Sequence, residues 1–197
     1  MISIAPGIEQ WSWFSEEKQL NFNGLAITVN DECVIIDPPP ISDTDGATLL
    51  SMLPTHIIIT NRDHVREAFS LQEEYKIPIY VPLADAPQIE IPIDKTYEEG
   101  EVLPGSLKAI HLPNMKSPGE SALLLEKDNG YLILGDALIG APSGKLRLLP
   151  SDKLPNMTKA KDSLKRLLSY KYDIVLTGDG DSILSNGKDA VQKALEN

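Results

Sequence analysis

Ile57-Ile58-Ile59-Thr60-Asn61-Arg62-Asp63-His64 is an apolar run that stops abruptly at a cluster of polar and ionisable side chains. The run predicts a buried strand, and groups at the end of such a strand in an α/β protein project into the crevice where ligands bind. The design recurs twice. Tyr131-Leu132-Ile133-Leu134 runs into Gly135-Asp136, and Asp173-Ile174-Val175-Leu176 runs into Thr177-Gly178-Asp179-Gly180. If the three ends converge, Asp63, His64, Asp136 and Asp179 bring one imidazole and three carboxylates together as a candidate metal site. Carboxylate and imidazole are borderline-to-hard donors suited to zinc, iron(II) or manganese. Any one Asp after a strand is more commonly a turn or capping residue; the recurrence at three strand ends is what singles these out.

Working outward, the helix signals are few. A helix is expected from Asp63 to Lys76, stopped by Pro78; a second within Leu154 to Tyr172, capped near Asn156; and a third from Gly187 to Leu195. Strand signals are many: 25–29, 33–36, 57–59, 79–81, 106–112, 121–126, 131–134 and 174–176. Asn30-Asp31-Glu32 and Lys127-Asp128-Asn129-Gly130 read as hairpin turns, which makes the strands beside them antiparallel. Hairpins, then β-α-β, then more hairpins, then helix-strand-helix make a mixed α/β (α+β) system, unlike a regular doubly wound parallel sheet. The stretches Pro38 to Thr44 and Ala141 to Leu154 read as loops on the rim of the polar clusters.

The chain has 197 residues, of which 42% are hydrophobic, a length and composition suited to a single domain over 1–197 with a substantial core. A formal net charge of −11 repels phosphate backbones, so nucleic-acid binding is disfavoured. No apolar run approaches membrane-spanning length, and the N-terminal residues lack the pattern of a signal peptide. A cytoplasmic protein acting on a small molecule, without nucleic-acid or membrane partners, is the expectation. Cys33 lies in a strand-like run and reads as a small buried hydrophobe. His56 precedes the apolar run, at the end of its strand away from the site, and reads as structural. His111 lies on the rim side, with an ordinary hydrogen-bonding role. Trp11 and Trp13 share a strand face and read as packing residues.

The pattern as a whole resembles the metallo-β-lactamase fold, the αββα sandwich of metallo-hydrolases, over nearly the whole chain. Residues from Leu20 through Ile36-Asp37-Pro38 resemble the family's opening hairpin. Thr60-Asn61-Arg62-Asp63-His64 resembles the end of the signature Thr-His-x-His-x-Asp-His with two residues missing. His111-Leu112-Pro113 with Lys116-Ser117-Pro118-Gly119 resembles His-Thr-Pro-Gly-His-Ser-Pro-Gly. Gly135-Asp136 resembles the bridging-aspartate motif, and Thr177-Gly178-Asp179-Gly180 the late Pro-Gly-His-Gly.

The resemblance implies a first metal site that is lost, since Asn61 and Lys116 stand where two of its histidines belong and the third is absent. It implies a second site in which Asp63, His64, Asp136 and Asp179 hold one divalent ion, either zinc, manganese or iron. The implied activity is hydrolysis of a small ester, thioester or related acyl compound. Lys116 would stabilise the developing oxyanion and Asn61 would donate to the same oxygen. Arg66 either binds a substrate carboxylate or lies on the surface, the second being the default. The alternative is a protein without metal, in which Lys116 and Arg62 pair with Asp63, Asp136 and Asp179 in a closed salt-bridge network, leaving a binding or scaffold module on a hydrolase fold.

Overall fold

In the computed structural model, which describes residues 1–196, twelve strands and four helices form four layers. The first sheet holds β1 (Ile2–Ala5), β2 (Ile8–Ser15), β3 (Leu20–Val29), β4 (Glu32–Ile36), β5 (His56–Ile58), β6 (Ile79–Pro82) and β7 (Lys95–Tyr97), side by side in chain order. The second runs β12–β11–β10–β9–β8, from β8 (Val102–Leu103), β9 (Leu107–His111), β10 (Ser121–Leu125), β11 (Tyr131–Leu134) and β12 (Ile174–Thr177). Helices α1 (Asp43–Ser51) and α2 (Ala68–Tyr75) cover the first sheet, and α3 (Met157–Lys165) and α4 (Gly187–Glu196) the second. Among the described residues no helix is long and apolar enough to cross a membrane.

Alternation along the strands decides this layering. Leu25, Ile27, Val34, Ile36 and Ile58 face Leu123, Leu125, Ile133 and Leu176 of the opposite sheet. Their neighbours Ala26, Cys33, Ile35, Ile57 and Ile59 point the other way, onto Leu49 of α1 and Ala68 and Leu71 of α2. Ala122, Leu124, Leu132 and Leu134 likewise face Ala160 and Leu164 of α3 and Val191 of α4. Central strands apolar on both faces need cover on both sides, and the sandwich supplies it.

Both hairpin turns form. Asn30 and Asp31 take left-handed φ values of 51° and 64°, the two-residue turn that suits the twist of β3 and β4. Asp128 and Gly130, at φ 54° and 86°, turn β10 into β11. The helix expected from Asp63 to Lys76 starts later. Arg62–His64 forms one 3-10 turn capped by Asn61, whose side chain accepts from the Asp63 amide. Arg66, at φ 42°, then breaks the helical path before α2 begins at Ala68. Asn156 caps α3 through the Lys159 amide as expected. Helix α1 has no counterpart in the sequence reading, because it buries only Leu49 and shows no apolar stripe; Ser42 caps it. Trp11 is core, packed on Gly24 and Pro39, whereas Trp13 on the same face is 42% exposed and tilted against Phe22. Cys33 is buried and its thiol pushed up by burial. His56 sits at the start of β5 against Tyr80, far from the rim.

Strands β4, β5, β9, β11 and β12 all point their C-terminal ends the same way within their sheets. One buried residue joins the sheets at that rim. Asn23 of β3 donates through Nδ2 to the carbonyls of Thr177 (2.8 Å) and Gly180 (2.7 Å), and its amide donates to Gly178 (2.7 Å). Replacing it strands buried carbonyls without donors. Asn23→Ala is expected to lower unfolding stability by about 2–3 kcal/mol. The check is a lower urea midpoint at unchanged m-value.

Candidate functional site

Five strand ends meet at the rim. Asp37 follows β4, and its backbone is left-handed at φ 48°, a conformation that costs a non-glycine residue about 1–2 kcal/mol. That turn folds its carboxylate back under the site. Oδ1 accepts from the Thr60 amide (2.8 Å), and Oδ2 from the Thr60 hydroxyl (2.5 Å) and His64 Nδ1 (2.8 Å). Asp37 was legible only as part of a family-like Asp-Pro; its role as the anchor of His64 required the fold.

His64 is buried, and the other edge of its ring faces Asp136 Oδ1 at 3.5 Å, Asp179 Oδ1 at 3.9 Å and Arg66 Nη2 at 3.3 Å. Burial and the Arg66 guanidinium oppose its protonation. The carboxylates of Asp37 and Asp136 outweigh them and raise the imidazole to about 10. Gly178 is what lets the ring lie there, since a Cβ would stand 2.6 Å from His64 Cε1.

Lys116, on the β9–β10 connection, bridges two carboxylates, Asp136 Oδ2 at 2.9 Å and Asp63 Oδ2 at 3.0 Å. Its ammonium resists deprotonation: partial burial works against the charge, and Asp136 and Asp63 more than offset it. Asp136 is buried, yet its two cationic neighbours His64 and Lys116 hold it far below the ordinary carboxylate range despite desolvation.

Arg66 is not a surface residue. Its Nη2 meets Asp179 Oδ1 at 2.6 Å, its Nη1 donates to the carbonyls of Asn23 and Asp37 (3.2 Å each), and it lies 4.6 Å over the Phe22 ring. Arg62, expected in the salt-bridge network, points away to Gln88, and its amide donates to buried Asp85. The reason is backbone direction. The 3-10 turn carries Arg62 outward, and the left-handed turn at Arg66 sends its side chain back over the rim. Burial raises Asp179, and Arg66 and His64 pull against that rise.

Of the candidate residues, Lys116, Asp63, His64, Asp136 and Asp179 come together around a cavity of about 510 Å³. Asn61 lies beneath it, fully buried; its Oδ1 caps the 3-10 turn and its Nδ2 has no partner. Gly135 leaves room for Thr60 and Asn61, 2.3 and 2.6 Å from where a Cβ would stand, and not for an ion. Glu120 lies in the same layer. Burial, reinforced by the Asp136 charge, drives its carboxyl well above the usual range, and its Oε1 accepts from the Ala137 amide. His111 closes β9 through backbone hydrogen bonds to Glu99 and Arg166.

Aligning 60–66 with Thr-His-x-His-x-Asp-His without a gap accounts for this geometry. Asn61, Asp63 and Arg66 then stand at the three histidine positions, and Val65 at the aspartate. By that resemblance, the Asp63–Lys116–Asp136 bridge corresponds to the motif's first-metal positions, and the Arg66–Asp179 pair to its second. The donors of His64, Asp136 and Asp179 do lie within 4.8 Å of one another, as a metal would require. They do not fit a resident metal ion, because a guanidinium and an ammonium already hold the carboxylates of Asp179 and Asp136.

Three comparisons bear on this geometry. No curated protein matches the chain in sequence. Among solved structures, it is similar to the DIM-1 metallo-beta-lactamase (TM-score 0.74, 18% identity, 98% of this chain and 96% of that one). It is similar to a metallo-beta-lactamase from Pontibacter korlensis (TM-score 0.77, 11% identity, 100% and 98%). It is also similar to TTHA1623, solved in a di-iron-bound form (TM-score 0.71, 23% identity, 91% and 96%). These identities speak for the fold alone. The family model described as "Metallo-beta-lactamase superfamily" matches residues 1–197, and with the αββα layering and the rim motifs already in place, the chain belongs to the metallo-β-lactamase superfamily.

Proposed function

We propose that this chain is a metal-independent member of its superfamily, binding a small molecule in a pocket whose metal positions are taken by its own cations. The observation that carries the reading is Lys116 seated between Asp63 and Asp136, with Arg66 doing the same for Asp179. Asp136 and Asp179, largely withdrawn from solvent, need counter-charge, and side chains that supply it at 2.6–2.9 Å remove the need for a divalent ion. A second reading, hydrolysis of a small acyl compound with one zinc, manganese or iron ion, draws support from the proximity of His64, Asp136 and Asp179. It requires Arg66 to leave Asp179 and His64 to lose its proton.

Metal titration separates the two. A metal present at 100 times its dissociation constant stabilises the native state by about 2.7 kcal/mol. Chelator-treated protein is expected to show no shift in unfolding midpoint with Zn²⁺, Mn²⁺ or Fe²⁺, and no stoichiometric metal by elemental analysis. A clear upward shift with one bound equivalent overturns the metal-independent reading.

Lys116→Ala tests the substitution of cation for metal. Lys116 is about one-third exposed, so the loss is screened by solvent and expected at about 1–3 kcal/mol. Vacating the position leaves Asp63 without its cation and Asp136 with His64 alone. The variant, unlike the parent, should gain thermal stability on addition of Mn²⁺, measured by calorimetry.

His64 gives the pH dependence. Its folded value lies above the usual 6.5, so its contribution to stability is complete below 6.5 and is lost as pH rises toward about 10. The stability gap between the parent and His64→Gln should therefore narrow from pH 7 to pH 10 in denaturation experiments. The ¹⁵N shifts of His64 should remain those of an imidazolium at pH 8.

A further inference from the structure

The cavity is cationic in an acidic protein. Five lysine and arginine side chains line it, against three carboxylates, although the chain carries a net charge of −11. Lys116 and Arg66 are spent on Asp63, Asp136 and Asp179. The remaining three, Lys18, Arg147 and Lys153, stand at the mouth and are exposed. Lys18 meets its sequence neighbour Glu17. Among the described residues the side chains of Arg147 and Lys153 make no ion pair or hydrogen bond. The backbone holds them in place all the same. Arg147 exchanges two hydrogen bonds with Ile139, 2.8 and 2.9 Å, three residues beyond Asp136, and Lys153 ends a 3-10 turn over 151–153. Between these cations and the buried network the wall is apolar, built from Leu20, Phe22, Ile139, Leu149 and Pro150.

We infer that the ligand of this pocket is an amphipathic organic anion: a terminal carboxylate or phosphate held by Arg147 and Lys153 at the mouth, and an apolar body lying on Phe22, Ile139 and Leu149. Two cations with no partner among the described residues, carried on hydrogen-bonded backbone beside an apolar trough, suit that combination, whereas a neutral molecule would leave them unused and an organic cation would be repelled. The cavity volume of about 510 Å³ matches a compact organic molecule and excludes a folded macromolecule. This deepens the metal-independent reading, on which it rests: with Asp136 and Asp179 neutralised from within, the deep wall no longer repels an anion.

The experiment titrates the whole chain, by calorimetry and by ¹H–¹⁵N spectra, with 4-phenylbutyrate, phenyl phosphate, 4-phenylbutanamide and 4-phenylbutylamine, each with and without chelator. The two anions are expected to bind and to shift the signals of Phe22 and Ile139, with the amide weaker and the amine weakest. Arg147→Gln and Lys153→Gln, both in exposed loops, should each weaken the anions about 5- to 10-fold, and leave the amide and the unfolding midpoint unchanged. Lys171→Gln, which removes the same charge away from the cavity, should change nothing. Equal affinity for 4-phenylbutyrate and 4-phenylbutanamide, no binding by any probe, or indifference to Arg147 and Lys153 would overturn the inference while leaving the metal-independent reading intact. Anion binding that vanishes with chelator and returns with added metal would overturn both.

Discussion

Desolvated carboxylates at the rim set the terms for everything else in this protein. Asp37, Asp136 and Asp179 are placed by strand ends that the sandwich packs together, and Asp37 and Asp136 are buried there. Charges of one sign that close, out of water, cannot all remain ionised without compensation. Three side chains answer them: Lys116 from the β9–β10 connection, Arg66 from the break before α2, and His64 between them. The imidazole is the hub, because one edge meets Asp37 beneath and the other faces Asp136 and Asp179 above.

Holding that cluster carries local costs in backbone conformation. Asp37 and Arg66 both adopt left-handed φ values that other residue types accept more easily, and both are the residues whose side chains turn inward to the cluster. Their strain is held by neighbours that leave no alternative. Thr60 takes both oxygens of Asp37, and the carbonyls of Asn23 and Asp37 fix the Arg66 guanidinium. Asn23 does double duty. Its side chain ties the first sheet to the loop that bears Asp179, and its carbonyl receives Arg66. The seam between the sheets and the site are thus one structure.

The bulk of the fold was legible in advance. Strands apolar on both faces, such as Cys33–Ile36 and Tyr131–Leu134, announce themselves by composition, and the Asn30-Asp31 and Asp128 turns by residue type. What escaped were elements with little buried surface: α1, with a single buried leucine, and the short strands β7 and β8. Strands β1 and β2 also escaped as elements, although Trp11 and Trp13 read as sharing a strand face; β1 buries no residue fully and the Trp13-Phe14 end of β2 is exposed. In the site, the convergence of Asp63, His64, Asp136 and Asp179 was readable from repeated strand ends, and Lys116 from the resemblance to the family's motif. The choice of Arg66 over Arg62 was not. A helix beginning at Asp63 would have carried Arg66 onto an exposed face, and only the ungapped alignment hints otherwise.

The sequence by itself determined which strand ends carry acids and which strands pair in hairpins, because alternation and turn chemistry act over a few residues; the layering and the place of Lys116 came from the motifs that resemble the family's. Only the tertiary structure decided which cation meets which carboxylate. Pairing depends on side-chain direction across segments far apart in the chain, Arg66 with Asp179 and His64 with Asp37, and a single left-handed residue reverses that direction. Periodicity carries no record of such a turn; the packed rim does.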